Sequence, residues 1–386
     1  MLRPAATAGC LALCVSAALY AEQALAADWR VAPSAYIGTS YADNPRLLTE
    51  GARQSAGALG EFNAYIQRLT ERSSFSLTPK LRSTRYSDDE SLNTDDQYLN
   101  ARYRWFSEHS EWNSEIGLTR DTTLTSEVGL TGLVESNRPH RAITISAGPT
   151  FMVSERASIG GQLYSVDNHY SDVGSTGLVD YSYRAVSASF NYATSDRSSI
   201  AVAAQGGELG SGGAFGVASR DASLKLSWNY QPYDLWRLTV SAGPSYAESD
   251  LDSDVGSLFE FEAQRRGDLW SLTTSAGRSL TPTGRGVMMR RDRVSLSLRK
   301  DLAEKFEATL GAQWIRSEDL LGQLGIDSEH VDYARIDLTG YWRVAQHWSL
   351  ALQLTGITQE RERSTQRADS YRALLSMVWN GLPLSL

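Results

Sequence analysis

Period-two alternation of apolar and polar residues runs through nearly the whole of this 386-residue chain. Between positions 332 and 342, Ala334, Ile336, Leu338, Gly340 and Trp342 fall on one side, and Tyr333, Arg335, Asp337, Thr339 and Tyr341 on the other. A helix would mix these two sets, whereas a strand separates them. The same separation opposes Leu224, Leu226 and Trp228 to Ser223, Lys225, Ser227 and Asn229. It also opposes Phe306, Ala308, Leu310, Ala312 and Trp314 to Glu307, Thr309, Gly311 and Gln313. About eighteen such segments can be marked, each roughly 10 to 14 residues long. Globular strands average about 5–6 residues, while a tilted strand crossing a bilayer needs about 9–11.

The connections alternate in size. Short polar turns occur at Ser107-Glu108-His109-Ser110, Ser154-Glu155-Arg156, Thr194-Ser195-Asp196-Arg197, Gln231-Pro232-Tyr233-Asp234 and Val344-Ala345-Gln346-His347. Longer Gly-, Ser- and Asp-rich stretches separate them, at 122–139, 206–216, 250–257 and 318–329. Short turns at one end and long loops at the other are the pattern of a transmembrane barrel. The expected fold is all-β, an antiparallel up-and-down β-barrel of about eighteen strands, with sixteen as the alternative. Pro33, Pro79, Pro149 and Pro244 fall inside expected strands, where a closed barrel has no edge to spare a missing N–H. They are expected to mark bulges or strand ends.

Tryptophan supports the same orientation. With the short turns on the periplasmic side, Trp29, Trp105, Trp112, Trp228, Trp236, Trp270, Trp342, Trp348 and Trp379 gather at the periplasmic ends of strands, and Trp314 stands at the other end. Amphipathic rings prefer the lipid–water interface, so these residues read as an aromatic girdle. Tyr371, Ala373, Leu375, Met377 and Trp379 alternate near the C-terminus and finish on an aromatic, as a signal to the outer-membrane assembly machinery does. The tail 380–386 departs from that pattern.

The N-terminus fits secretion. Arg3 precedes an apolar run over 5–21, and Ala24-Leu25-Ala26 offers small residues for cleavage, so 1–26 reads as a signal peptide and 27–386 as the barrel. Cys10 and Cys14 both lie in that leader. The remaining chain therefore carries no disulfide, thiolate nucleophile or Cys–zinc site. A net charge of −8 argues against a nucleic-acid partner.

Charge on the non-lipid faces is the most informative functional feature. Lys80, Arg82, Arg102, Arg104, Lys225, Arg237, Arg291, Arg293, Arg299, Arg335 and Arg372 sit opposite the apolar residues of their strands, with Glu61, Glu115, Glu260, Glu262, Glu307 and Asp337 among them. At the bilayer midplane a lipid-facing Arg or Lys costs about 2–4 kcal/mol, so these residues are expected to line the lumen. A basic, water-filled interior would tolerate anions. The competing expectation is a lumen closed by its own salt bridges.

Catalytic chemistry is weakly signalled. Asp167 and His169 share a strand face and Asp180 follows nearby, but a solvated strand end explains them more simply. No phosphate-binding loop and no metal-ligand spacing stands out, and no cofactor is expected. Acidic runs at Asp88, Asp89, Glu90, Asp95, Asp96 and at Glu248, Asp250, Asp252, Asp254 could offer oxygens to calcium, though solvated acidic loops are the simpler reading.

Pro33 with Tyr41-Ala42-Asp43-Asn44-Pro45, Ser76-Leu77-Thr78-Pro79, Arg85-Tyr86-Ser87-Asp88 and Arg120-Asp121-Thr122-Thr123-Leu124-Thr125-Ser126-Glu127 resemble the β-barrel porin 2 family of proteobacterial outer-membrane proteins. Ser154-Glu155-Arg156 and Ser195-Asp196-Arg197 resemble its turns. The similarity is clearest over 29–205. It implies an outer-membrane barrel, bounded by lipid and lipopolysaccharide, that accompanies exopolysaccharide synthesis and export components; it implies no catalytic residues. The sequence thus leaves a channel, a structural or surface-interaction barrel and, less favoured, a barrel hydrolase.

Overall fold

The computed structural model describes residues 28–126, 137–172, 177–212, 218–249, 253–320, 330–361 and 366–385. The signal-peptide expectation at 1–26 lies outside them, as do much of the acidic run at 250–252 and the loop segments 127–136 and 321–329.

Eighteen long strands form one antiparallel sheet. They are β1 (Asp28–Ala42), β2 (Ser55–Leu69), β3 (Ser73–Tyr86), β4 (Thr94–Phe106), β5 (Ser110–Thr122), β6 (Pro139–Met152), β7 (Ala157–Tyr170), β8 (Tyr181–Ser195) and β9 (Ser198–Ser211). There follow β10 (Ala218–Tyr230), β11 (Trp236–Ser249), β12 (Ser253–Arg266), β13 (Trp270–Pro282), β14 (Met288–Ala303), β15 (Phe306–Asp319), β16 (His330–Ala345), β17 (Trp348–Arg361) and β18 (Gln366–Asn380). Each pairs with its sequence neighbours, and β18 pairs with β1 from Ser34↔Asn380 to Ala42↔Arg372, which closes the cylinder. Strands of 13 to 16 residues exceed what a globular sheet needs.

Alternation becomes inside and outside. Ile37, Phe62, Leu81, Ile116, Ile145, Leu163, Val186, Leu226, Leu338, Leu354 and Leu375 are all exposed, at 46% or more of their surface, and the register puts them on one face. Soluble monomers rarely expose apolar patches beyond a few hundred Å². A band of such residues on strand after strand requires lipid around it, with every backbone ladder closed. The chain is a bacterial outer-membrane β-barrel.

The prolines behave differently from expectation. At Pro79 the β2–β3 ladder lapses between Asn63↔Lys80 and Ile66↔Leu77, and at Pro149 the β6–β7 ladder lapses between Ala147↔Leu163 and Thr150↔Gly160. At Pro244 the β10–β11 ladder lapses between Ser223↔Ser245 and Leu226↔Ala242. In each case the register resumes unshifted, so these are ladder gaps and neither bulges nor strand ends. Gly243 allows the close approach there, since a Cβ would stand 1.7 Å from the Leu224 carbonyl oxygen. Pro33 sits in β1 just where pairing to β18 begins at Ser34, so its missing N–H breaks no β1–β18 ladder bond. True register shifts occur beside short turns, at Ala193/Ser195, Asp301/Ala303 and Arg343/Ala345.

The C-terminal tail also finds a place. After a break at Gly381, whose N–H donates to the Pro33 carbonyl at 2.8 Å, a two-residue strand β19 (Leu384–Ser385) pairs with Val31 and Arg30 of β1. The tail therefore continues the closing seam rather than hanging free.

Candidate channel interior

The ladder register fixes which side chains share the inner face. Starting from exposed Leu338, its strand neighbours Asp337 and Thr339 face inward, and the pairing carries this parity around all eighteen strands. It puts Lys80, Arg82, Arg102, Arg104, Glu115, Lys225, Arg237, Arg291, Arg293, Arg299, Arg335, Asp337 and Arg372 on the inner face. The same parity puts Trp105, Trp112, Trp228, Trp236, Trp270, Trp342, Trp348 and Trp379 on the outer face near the short-turn end. Trp105 stands opposite Trp112 and Trp348 opposite Trp379, while Trp342 stacks on Phe306 with ring planes 2° apart.

Many inner cations already hold an acid. Glu61 takes Lys80 at 3.2 Å and Arg82 at 2.8 Å. Arg102 meets Glu115 at 3.1 Å, Arg104 meets Glu111 at 2.7 Å, and Lys225 meets Glu260 at 3.0 Å. Arg299 meets Glu307 at 2.7 Å, and Arg335 binds both oxygens of Asp337 at 2.6 and 2.8 Å. Arg293 reaches the neutral amide oxygen of Gln313 at 3.4 Å. The inner face also carries Asp96, Glu111, Asp121, Asp221 and Asp254, which are not among the lumen acids expected from the sequence. The positive surplus expected over the whole interior is thereby confined to one sector. Arg291, Arg293, Arg299, Arg335 and Arg372 on β14, β16 and β18 face three inward acids of β14–β18 between the depths of Arg291 and Glu307, namely Asp301, Glu307 and Asp337.

Polar cavities follow the wall. One of about 490 Å³ lies along β3–β8 and includes Ser76, Arg102, Asn113, Ser146, Gln162 and Ser187. A second, of about 340 Å³, brings Arg82, Arg335 and Arg372 together with Tyr36, Tyr333 and Thr355 across the β18–β1 seam, beneath Pro45 and Leu47.

The long-loop mouth is narrowed by a hairpin that leaves the wall. Pairing between β12 and β13 stops at Phe259↔Arg278, while β13 and β14 stay paired up to Pro282↔Met288. Above that point the hairpin crosses to strands five places away around the barrel. The Val179 N–H, just before β8, donates to the Gly284 carbonyl at 2.7 Å. Met288 is 1% exposed and buried with Val166, Tyr170, Tyr181, Tyr183 and Leu209, the inner residues of β7–β9. By parity Met288 belongs to the outer face of its hairpin. It can meet the inner face of β7–β9 only if the hairpin tip is folded into the barrel. Arg290, of the same parity, reaches inward-facing Asp254 of β12 at 2.6 Å, as that folding requires. The sequence carried a signal for this: Val287-Met288-Met289 is an unbroken apolar run, which marks a strand covered on both faces.

The sequence's acid–base candidate is placed elsewhere. Asp167 and His169 face outward, and His169 Nδ1 contacts Asp180. A second histidine, His140, is buried on the inner face between Asp121 on Nδ1 and Asn168 on Nε2, each at 2.8 Å, with Tyr98 donating to Asp121 at 3.3 Å. Both ring nitrogens are engaged, so no nitrogen is left to take a proton from a nucleophile. In the acidic loop Asp89 caps a single 3-10 turn (Glu90–Leu92) and pairs with Arg46 at 2.6 Å, while Asp95 pairs with Arg85 at 2.7 Å. Hydrogen bonds from Ser91 hold the Asp89 carboxyl below its ordinary range, with Arg46 adding to them. Among the described residues no group of three or more His, Cys, Asp or Glu side chains could hold a metal ion.

No protein-family model matches the chain, and no curated protein matches it in sequence. Among solved structures it is similar to OpdQ of Pseudomonas aeruginosa, with a TM-score of 0.49 and 9% identity over 92% of this chain and 98% of that one. It is similar to a BenF-like porin of Pseudomonas fluorescens Pf-5, with a TM-score of 0.48 and 11% identity over 93% and 99%. It also resembles the siderophore receptor PirA of Pseudomonas aeruginosa, with a TM-score of 0.42 and 10% identity over 92% and 80%. At these scores the fold rests on the chain's own closed register, which makes it an outer-membrane β-barrel.

Proposed function

We propose that this barrel is a porin-like channel for small polar solutes, preferring anions where its arginine sector lines the passage. The observation that carries this reading is the polar inner face of an eighteen-strand wall, a size at which barrels leave an aqueous lumen. Arg291, Arg293 and Arg372 supply a local positive field that raises anion concentration. The infolded β13–β14 tip sets the narrowest point near the mouth. In this reading residues 1–26 are the secretion signal and the assembly machinery inserts the barrel. The resemblance to the β-barrel porin 2 family supports a saccharide, supplied by polysaccharide export components, as one passing solute.

The test is conductance in a planar bilayer. Wild type should conduct with a mild preference for chloride over potassium. Arg291→Glu with Arg293→Glu should move that preference toward cations without loss of heat-modifiable migration, because lumen substitutions tune selectivity. At about 1 M salt, where the Debye length is about 3 Å, the difference should shrink. A second reading has its own support: seven inner cations already paired with acids and the docked hairpin suit a closed structural barrel. No conductance, together with destabilisation by the double reversal, would select it.

A further inference from the structure

Two arginines on the outer wall stand in the least favourable arrangement a sheet offers. Arg120 of β5 is directly opposite Arg141 of β6, and Arg141 is directly opposite His169 of β7. All three are exposed on the face that also presents Ile116, Leu118, Ile143 and Ile145. Like charges directly opposite one another destabilise a sheet. Other outer-face arginines near the long-loop end have an acid beside them: Arg85 pairs with Asp95, Arg278 with Asp292 at 2.6 Å and Arg316 with Asp332 at 2.9 Å, while Arg184 lies directly opposite Glu208. The side chains of Arg120 and Arg141 form no hydrogen bond or ion pair among the described residues. Asp95, within electrostatic reach of Arg120, is already bound by Arg85 through both oxygens and by Ser83. His169 is matched to Asp180, and the outward Asp167, opposite Ile143 one step below, makes no ion pair with either arginine among the described residues, so the positive charge of the two arginines stands uncompensated.

Their depth tells what they would meet. Arg120 is eight residues along β5 from Trp112 of the aromatic girdle. At about 3.4 Å per residue and a tilt near 40°, that is about 20 Å along the membrane normal, close to the ~25 Å height of an apolar band. The arginines therefore stand at the headgroup level of the outer leaflet. Strands are about 4.8 Å apart, so two guanidinium groups can close on one tetrahedral oxyanion, each offering paired N–H donors. Below them Leu118, Ile143 and Ile145 form an apolar ramp suited to acyl chains.

We propose that Arg120 and Arg141 dock a phosphate group of an outer-leaflet glycolipid, whose acyl chains lie on Leu118, Ile143 and Ile145. The bound phosphate turns a repulsive pair into a bridged one. The proposal rests on the outer-membrane placement of the barrel and not on conduction.

Native mass spectrometry of the full chain, refolded in detergent with diphosphoryl lipid A or with dephosphorylated lipid A, tests it. Wild type should retain the diphosphoryl lipid, and Arg120→Ser with Arg141→Ser should weaken retention at least about tenfold. Arg141→Lys should fall between them, since a point charge lacks the paired donors. Arg220→Ser, an outer-face change matched to Glu208, should bind as wild type. Without lipid the double variant should melt no lower than wild type, because it has lost a repulsion. Equal retention of the two lipids by wild type, or undiminished retention by the double variant, overturns the site; displacement by inorganic phosphate alone would overturn the lipid as its ligand. β-Type circular dichroism and heat-modifiable migration of each preparation report separately on the barrel.

Discussion

Releasing the β13–β14 tip should widen the channel without opening the wall. Met288→Ala is the direct perturbation, because the side chain is almost wholly buried between the tip and the inner residues of β7–β9. Removing a buried Met costs about 2–5 kcal/mol in a closed core. The hairpin can settle partway into the gap, so the lower end applies, about 2 kcal/mol. That lowers the ratio of docked to undocked tip about 25-fold. The eighteen-strand ladder is untouched, so heat-modifiable migration should persist. Gly284→Ala reaches the same result by another route: its Cβ would stand 2.8 Å from Tyr170 Oη and 2.9 Å from Leu178 Cδ2. Single-channel recording should show larger or longer openings for both variants. If both leave conductance at the wild-type level while the thermal transition falls as calculated, the cluster stabilises the wall and does not occlude the mouth.

Further outcomes follow from the register. Leu338→Arg, on the lipid face, should lower stability in lipid by about 2–4 kcal/mol near the midplane, whereas Thr339→Arg, one residue on and facing inward, should be far milder; similar losses would invalidate the assignment of faces. A double-mutant cycle on stacked Phe306 and Trp342, followed by equilibrium unfolding in lipid, should give a coupling of about 0.5–1.5 kcal/mol. A coupling near zero would mean that the two rings anchor to the interface independently.

Much of this architecture was legible because a barrel writes its two environments into alternate residues. Strand number, the crowding of tryptophan at one end and the inward parity of Arg335 and Asp337 all follow from that period. What escaped was set by contacts between distant strands. Asp96 reads in the sequence as a loop acid, and nothing there marks Asp121 or Asp221 as lumen acids, whereas the ladder puts all three on the inner wall. The tip around Gly284 and Met288 obeys no local rule that points five strands away, beyond the lapse in alternation at 287–289. Pro79, Pro149 and Pro244 suggested broken strands because local chemistry forbids their N–H bonds. The barrel tolerates each as a gap because the ladders on either side of it hold the register.

The seam between β1 and the last residues has a practical side. Asp28 to Pro33 of β1 pair with β2 on one edge, but beyond Ser34 their other edge is covered only through Gly381 and Leu384–Ser385. An affinity tag fused directly to the C-terminus would hang from the segment that covers this edge, and trimming the chain after Asn380 would bare it. An uncovered strand edge recruits other chains, so such products should assemble slowly or aggregate during refolding. A tag carried in one of the long loops leaves the seam to close on itself.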